Sequence, residues 1–136
     1  MRVFKIIPTL FYTVIVYNIL ALLGGDVLSA GLWKIGLISG AEWSLSVNEL
    51  LLAISVLFLY IEIFKSTRTT TSSVIDHALS MGLFIICLLE FIMIERMGSS
   101  TFFIITLICL LDVVAGFTVT ISTARRDFGV GAHAMD

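Results

Sequence analysis

The stretch "FFIITLICLLDVVAGFTVTI", residues 102–121, is 20 residues long and carries a single charge, Asp112. About 20 apolar residues rising 1.5 Å each cross a hydrocarbon core of about 30 Å. The stretch therefore reads as a membrane-spanning helix. Three further blocks have the same character, at residues 3–23, 47–64 and 75–94. Together the four predict an all-α fold, a four-helix transmembrane bundle forming one domain over residues 1–136. Residues 127–136 have little to pack against and are expected to form a flexible tail.

Composition points the same way. Hydrophobic residues make up 59% of the 136 and charged residues 13%, with a mean hydropathy of +1.11. Soluble domains average about 45–50% apolar and about 25% charged residues. The net charge of −2 and the lack of a basic patch argue against nucleic acid as a partner. The expected partners are the lipid bilayer and either another membrane protein or a second copy of the chain. Arg2 and Lys5 precede the first block, and Ser29 and Ala30 resemble a signal cleavage site. That block is longer than the roughly 7–15 residues of a signal core, so it reads as a retained anchor. Cytoplasmic loops are rich in Lys and Arg. With the N-terminus inside, Arg2, Lys5, Lys65, Arg68, Arg125 and Arg126 are cytoplasmic, and only Lys34 and Arg96 are outside. Both termini are then cytoplasmic.

The longest connection, residues 24–46, begins "GGD" and carries Trp33 and Trp43, suited as interfacial anchors. Leu28, Leu32 and Ile35 have the spacing of a short interfacial helix. Trp33, Ile35 and Leu37, and then Trp43, Leu45 and Val47, alternate around "SGAE" as in a β-hairpin. The hairpin is the preferred reading for residues 32–46. The second connection, "KSTRTTTSS", is polar and basic, and the third, "ERMGSS", is a tight turn between antiparallel neighbours.

Most acidic residues have ordinary roles. Ser46 and Glu49 form a capping box at the start of the second helix, and Ser73 with Asp76 repeats the device at the third. Glu62 pairs with Lys65 three residues on. Glu90 either reaches the interface or meets Asn18, which lies at similar depth in the first helix. Asp112 stands apart, because ten residues into its helix it lies about 15 Å deep, near the midplane. A charge there costs about 2.5–3.5 kcal/mol on insertion scales. It must face protein, accept hydrogen bonds or hold a proton. Ala115, Gly116 and Thr120 share its side of the helix and allow close packing, while Leu110, Val114 and Phe117 face the other way. Thr13 and Ser55 fall at matching depth, so Asp112, Thr13 and Ser55 are the expected buried network. Such a network either locks helix packing or serves, with Glu90, as a proton site.

No enzyme is expected. His77 and His133 are the two histidines, and no nucleophile, base and orienting group come together. Cys87 and Cys109 sit singly in apolar runs and read as buried structural thiols. No metal or cofactor site is evident. Compact four-helix drug/proton exchangers are similar in size, but their essential glutamate lies in the first helix, which has no acid here. The leading expectation is a non-enzymatic membrane protein, accessory or self-associating. The alternative is a small proton-coupled transporter using Asp112 and Glu90.

The segments "STFFIITLICLLDVVAGFTVTISTARRDFGVG" and "SVIDHALSMGLFI" resemble small uncharacterised four-helix membrane proteins of bacteria. The resemblance implies a bacterial inner membrane and no particular activity. It carries over no functional residue.

Overall fold

The computed structural model describes residues 7–67 and 72–133. In chain order it has α1 (Leu10–Leu23), a short α2 (Gly25–Ser29), β1 (Gly31–Gly36), β2 (Glu42–Ser46), α3 (Val47–Ser66), α4 (Ser72–Met93), a 3₁₀ turn (Glu95–Met97) and α5 (Ser100–His133). The molecule is mainly helical. Three helices are long and apolar enough to cross a membrane, namely α3, α4 within Val74–Met93, and α5 within Ser100–Arg126.

The first helix is shorter than its apolar block suggested. Residues 7–9 precede it, and the 14 residues of α1 extend about 21 Å. Pro8 explains the late start. It has no N–H and disfavours helical geometry in the residue before it. Its carbonyl instead accepts from Phe11 N–H at 3.0 Å in the first turn. Residues 3–6 of the expected span, together with Arg2, Lys5 and Arg68, lie outside the described residues.

The last helix is longer than expected. It passes Ile121 and continues to His133 instead of giving way to a flexible tail at residue 127. Loss of hydropathy marks where a bilayer would end, whereas a helix ends only where its backbone is stopped. No proline stands in the way between residues 121 and 133.

The long connection forms the expected hairpin and not the alternative helix through Leu28, Leu32 and Ile35, since Leu32 and Ile35 lie in β1. The helix α2 covers five residues, and the strands β1 and β2 then pair antiparallel. Ile35 pairs with Trp43 and Trp33 with Leu45, with an irregularity between Gly31 and Trp33. At the tip Gly40 takes φ +85°, a left-handed conformation that glycine adopts freely. Strand β2 passes into α3 with no residue between them. Here the expected capping box is complete. Ser46 N–H donates to Glu49 Oε2 at 2.7 Å, and Glu49 N–H donates to Ser46 Oγ at 3.4 Å.

The helix α5 is the centre of the assembly and packs against α3 and α4, while α1 lies on α2 and α3. Its buried positions among the described residues are Phe102, Ile105, Thr106, Ile108, Cys109, Asp112, Val113 and Gly116, a stripe with helical spacing. Leu10, Val14, Tyr17 and Ala21 supply the facing stripe of α1. Tyr17 and Phe102 stack at 5.1 Å between centroids, and the Tyr17 hydroxyl meets Ser99 Oγ at 2.6 Å. Ser99 Oγ also accepts from Phe102 N–H at 3.1 Å, which caps α5. At the C-terminal end of α1, Gly24 bends the chain and Arg96 donates to Leu22 O at 3.3 Å. A cation there complements the negative end of the helix dipole.

Candidate functional site

The buried polar side chains are Thr13, Ser55, Glu62, His77, Ser80, Thr106 and Asp112. Apart from Thr106, which bonds Phe102 O in its own helix, they lie between mid-helix and the end opposite the hairpin. Toward the hairpin end the core is apolar and aromatic, built on Tyr17, Phe102, Ile105, Leu28 and Met97. Most of the buried polar side chains thus lie in the half of the bundle away from the hairpin, the polar half, beside the apolar Leu10 and Val14.

Asp112 is 6% exposed and points into the bundle, as its neighbours predicted. The hydroxyl that faces it is Ser80 of α4, and Glu62, Lys65 and Asp76 lie within electrostatic reach. The expected network with Thr13 and Ser55 does not form. Ser55 donates to Leu51 O at 2.7 Å in its own helix, and Thr13 Oγ1 is buried with no hydrogen-bond partner among the described residues. Depth was legible in the sequence, but rotation about each helix axis was not. Serines and threonines often satisfy themselves on the carbonyl four residues back, which removes them from interhelical contact.

Glu90 meets Asn18, resolving the two options for it. Asn18 Nδ2 donates to Glu90 Oε2 at 3.0 Å and lies 3.0 Å from Val14 O. Glu62 pairs with Lys65 at 3.1 Å and also accepts from Thr9 N–H. Thr9 Oγ1 reaches Phe58 O at 3.3 Å, so Thr9 ties the start of α1 to α3 at two points. The capping box expected of Ser73 and Asp76 falls outside the described residues, because the side chain of Ser73 does. The helix α4 begins at Ser72, which puts Ser73 inside its first turn, and Asp76 Oδ1 is buried without a hydrogen-bond partner among the described residues.

The close-packing stripe of α5 has a definite occupant. Gly116 and Thr120 face His77 of α4, with Ala115 half-buried beside them. His77 Nε2 lies 2.8 Å from Thr120 Oγ1, which is itself 2.9 Å from Gly116 O. Thr120 Oγ1 thus stands between a carbonyl that can only accept and the imidazole. The imidazole is only 8% exposed, and its ring is 5.9 Å from that of Phe117. Sequence reasoning assigned His77 no partner. The signal it missed was a glycine followed four residues later by a hydroxyl, a notch with a hydrogen-bonding group one turn away.

The thiols of Cys87 and Cys109, 0% and 1% exposed, face each other across α4 and α5. They are separate in sequence and neighbours in the fold. Trp33 and Trp43 both stand exposed on the hairpin. Among the described residues no group of three or more His, Cys, Asp or Glu side chains is placed to hold a metal ion. No family model matches the chain, and no curated protein or solved structure does either.

Proposed function

We propose that the chain is a non-enzymatic integral membrane protein, an accessory or self-associating subunit whose polar side chains fix helix packing. The observation that carries this reading is the pairing of polar groups across helices: Asn18 with Glu90, Thr9 with Glu62, His77 with Thr120, and Tyr17 with Ser99. Groups so engaged hold helices together where lipid offers no hydrophobic drive between them. The outward faces support membrane residence. Val56, Leu57, Tyr60 and Phe64 on α3, and Ile85, Leu89, Ile92 and Met93 on α4, are exposed and suit lipid or a partner helix. In this reading α1 joins the three longer helices in a four-helix bundle of the bacterial inner membrane. Both termini are cytoplasmic, in line with the six basic residues assigned to that side. Extraction in mild detergent followed by light scattering tests it. A stable complex with a second copy or another membrane protein is expected. A solitary monomer that takes up protons with a substrate would refute it.

A second reading has its own support. Asp112 shares the polar half with Glu62 and Asp76, and Asp76 Oδ1 and Thr13 Oγ1 are buried without hydrogen-bond partners among the described residues. Such groups fit a proton-coupled carrier using Asp112 and Glu90. In that case Asp112→Asn would abolish pH-driven flux in proteoliposomes while leaving the fold intact. Unchanged flux, or none in the parent protein, removes this reading.

A further inference from the structure

The hairpin is two-sided. Cross-strand partners project from the same face of a ladder, so the pairs Trp33–Leu45 and Ile35–Trp43 share one face. The pairs Lys34–Ser44 and Gly36–Glu42 occupy the other. The apolar face is open, with Trp33 69%, Ile35 48% and Trp43 46% exposed, and Ile38 at the tip is fully exposed. A lone two-stranded hairpin is marginally stable at best in water. This one leaves uncovered the face that would stabilise it.

Its height relative to a bilayer is set by the chain. Strand β2 ends at Ser46 and α3 starts at Val47, whose N–H donates to Ala30 O at 3.1 Å and closes the base of the hairpin. The helix α3 is long and apolar enough to cross a membrane, and in the membrane-embedded reading its first turn lies near the hydrocarbon boundary. Tryptophan is enriched at that level. An apolar face opposite a charged one is also the pattern of elements that lie in the interfacial plane.

We propose that the hairpin lies in the headgroup–acyl boundary of one leaflet, and that the lipid surface is what covers its apolar face. Trp33, Ile35, Trp43 and Leu45 point toward the acyl chains, and Lys34, Glu42 and Ser44 point toward water. The hairpin then acts as an outrigger that sets the depth and tilt of α3. The inference rests on the membrane-embedded reading above.

The chain has two tryptophans, Trp33 and Trp43, so its tryptophan emission reports the hairpin alone. The full-length protein is reconstituted into phosphatidylcholine vesicles containing brominated lipid, with bromine either near the carbonyls or near the chain ends. Short-wavelength emission is expected, with a large loss of intensity from shallow bromines, a smaller loss from deep ones and little from aqueous iodide. Ile35→Glu, with helical content unchanged, should shift emission to longer wavelength and weaken the bromolipid quenching, whereas Lys34→Gln should do neither. Quenching by iodide but not by bromolipid places the hairpin in water and overturns the proposal. Short-wavelength emission that neither quencher touches means that protein covers the face, a second copy or another chain, and overturns it equally. Flotation separates the two levels of the argument, because a protein that does not float with the vesicles refutes membrane embedding itself.

Discussion

A Cβ built on Gly116 would lie 2.5 Å from both Cε1 and Nδ1 of His77. The imidazole occupies the space that any other residue at position 116 would fill. The ring is buried and fixed by Thr120, so it has no free path aside. Gly116→Ala should therefore destabilise the protein by about 1–3 kcal/mol, as overpacking does. Thermal unfolding in detergent measures this, and adding His77→Ala should recover part of the loss. An alanine variant as stable as the parent would mean that the two helices are not held at this distance.

The bond from Asn18 to Glu90 joins α1 to α4 across 72 residues of sequence. Interhelical hydrogen bonds in membrane proteins contribute on average about 0.6 kcal/mol, with an upper value near 1.7 kcal/mol. Glu90→Leu should reach the upper part of that range, and Glu90→Gln should lose little. A double-mutant cycle with Asn18→Leu isolates the pair. Additive losses would show that the two side chains do not support each other.

Tyr17→Phe keeps the ring stack on Phe102 and removes only the hydroxyl contact with Ser99. A loss of about 0.5–1.5 kcal/mol is expected, the net value of one hydrogen bond. Amide hydrogen exchange in the first turn of α5 should rise along with it, because Ser99 caps that turn. Unchanged exchange would separate Tyr17 from the cap.

Asp112 faces Ser80 in a nearly closed environment. As a packing residue it should tolerate Asp112→Asn within about 1 kcal/mol, because the amide has the same shape and still accepts a hydrogen bond. Asp112→Leu should cost about 1–3 kcal/mol, since it leaves the buried Ser80 hydroxyl without the group it faces. Chemical denaturation of both variants in mixed micelles gives the comparison. If the leucine variant were the more stable of the two, Asp112 would have no packing role.

The helical class was legible because runs of apolar residues long enough to cross a bilayer leave few alternatives. The hairpin was legible because Trp33, Ile35, Trp43 and Leu45 alternate around a glycine. The Ser46–Glu49 cap and the Glu62–Lys65 pair followed from local spacing, and local spacing survives folding. Asp112 was marked by its depth alone. Its partner was not, because Thr13, Ser55 and Ser80 all lie at suitable depth, and only the rotation of each helix decides which one meets it. The seat of His77 on Gly116 and the meeting of Cys87 with Cys109 depend on the register between α4 and α5. Neither helix encodes that register by itself.

The 34 residues of α5 extend about 51 Å, against about 30 Å of hydrocarbon. In the membrane-embedded reading, roughly two-fifths of this helix stands outside the hydrocarbon as a mast continuous with the core. The part inside is gripped on two sides by α3 and α4. A small rocking of that grip is carried, without a hinge, to the far end and enlarged in proportion to the free length.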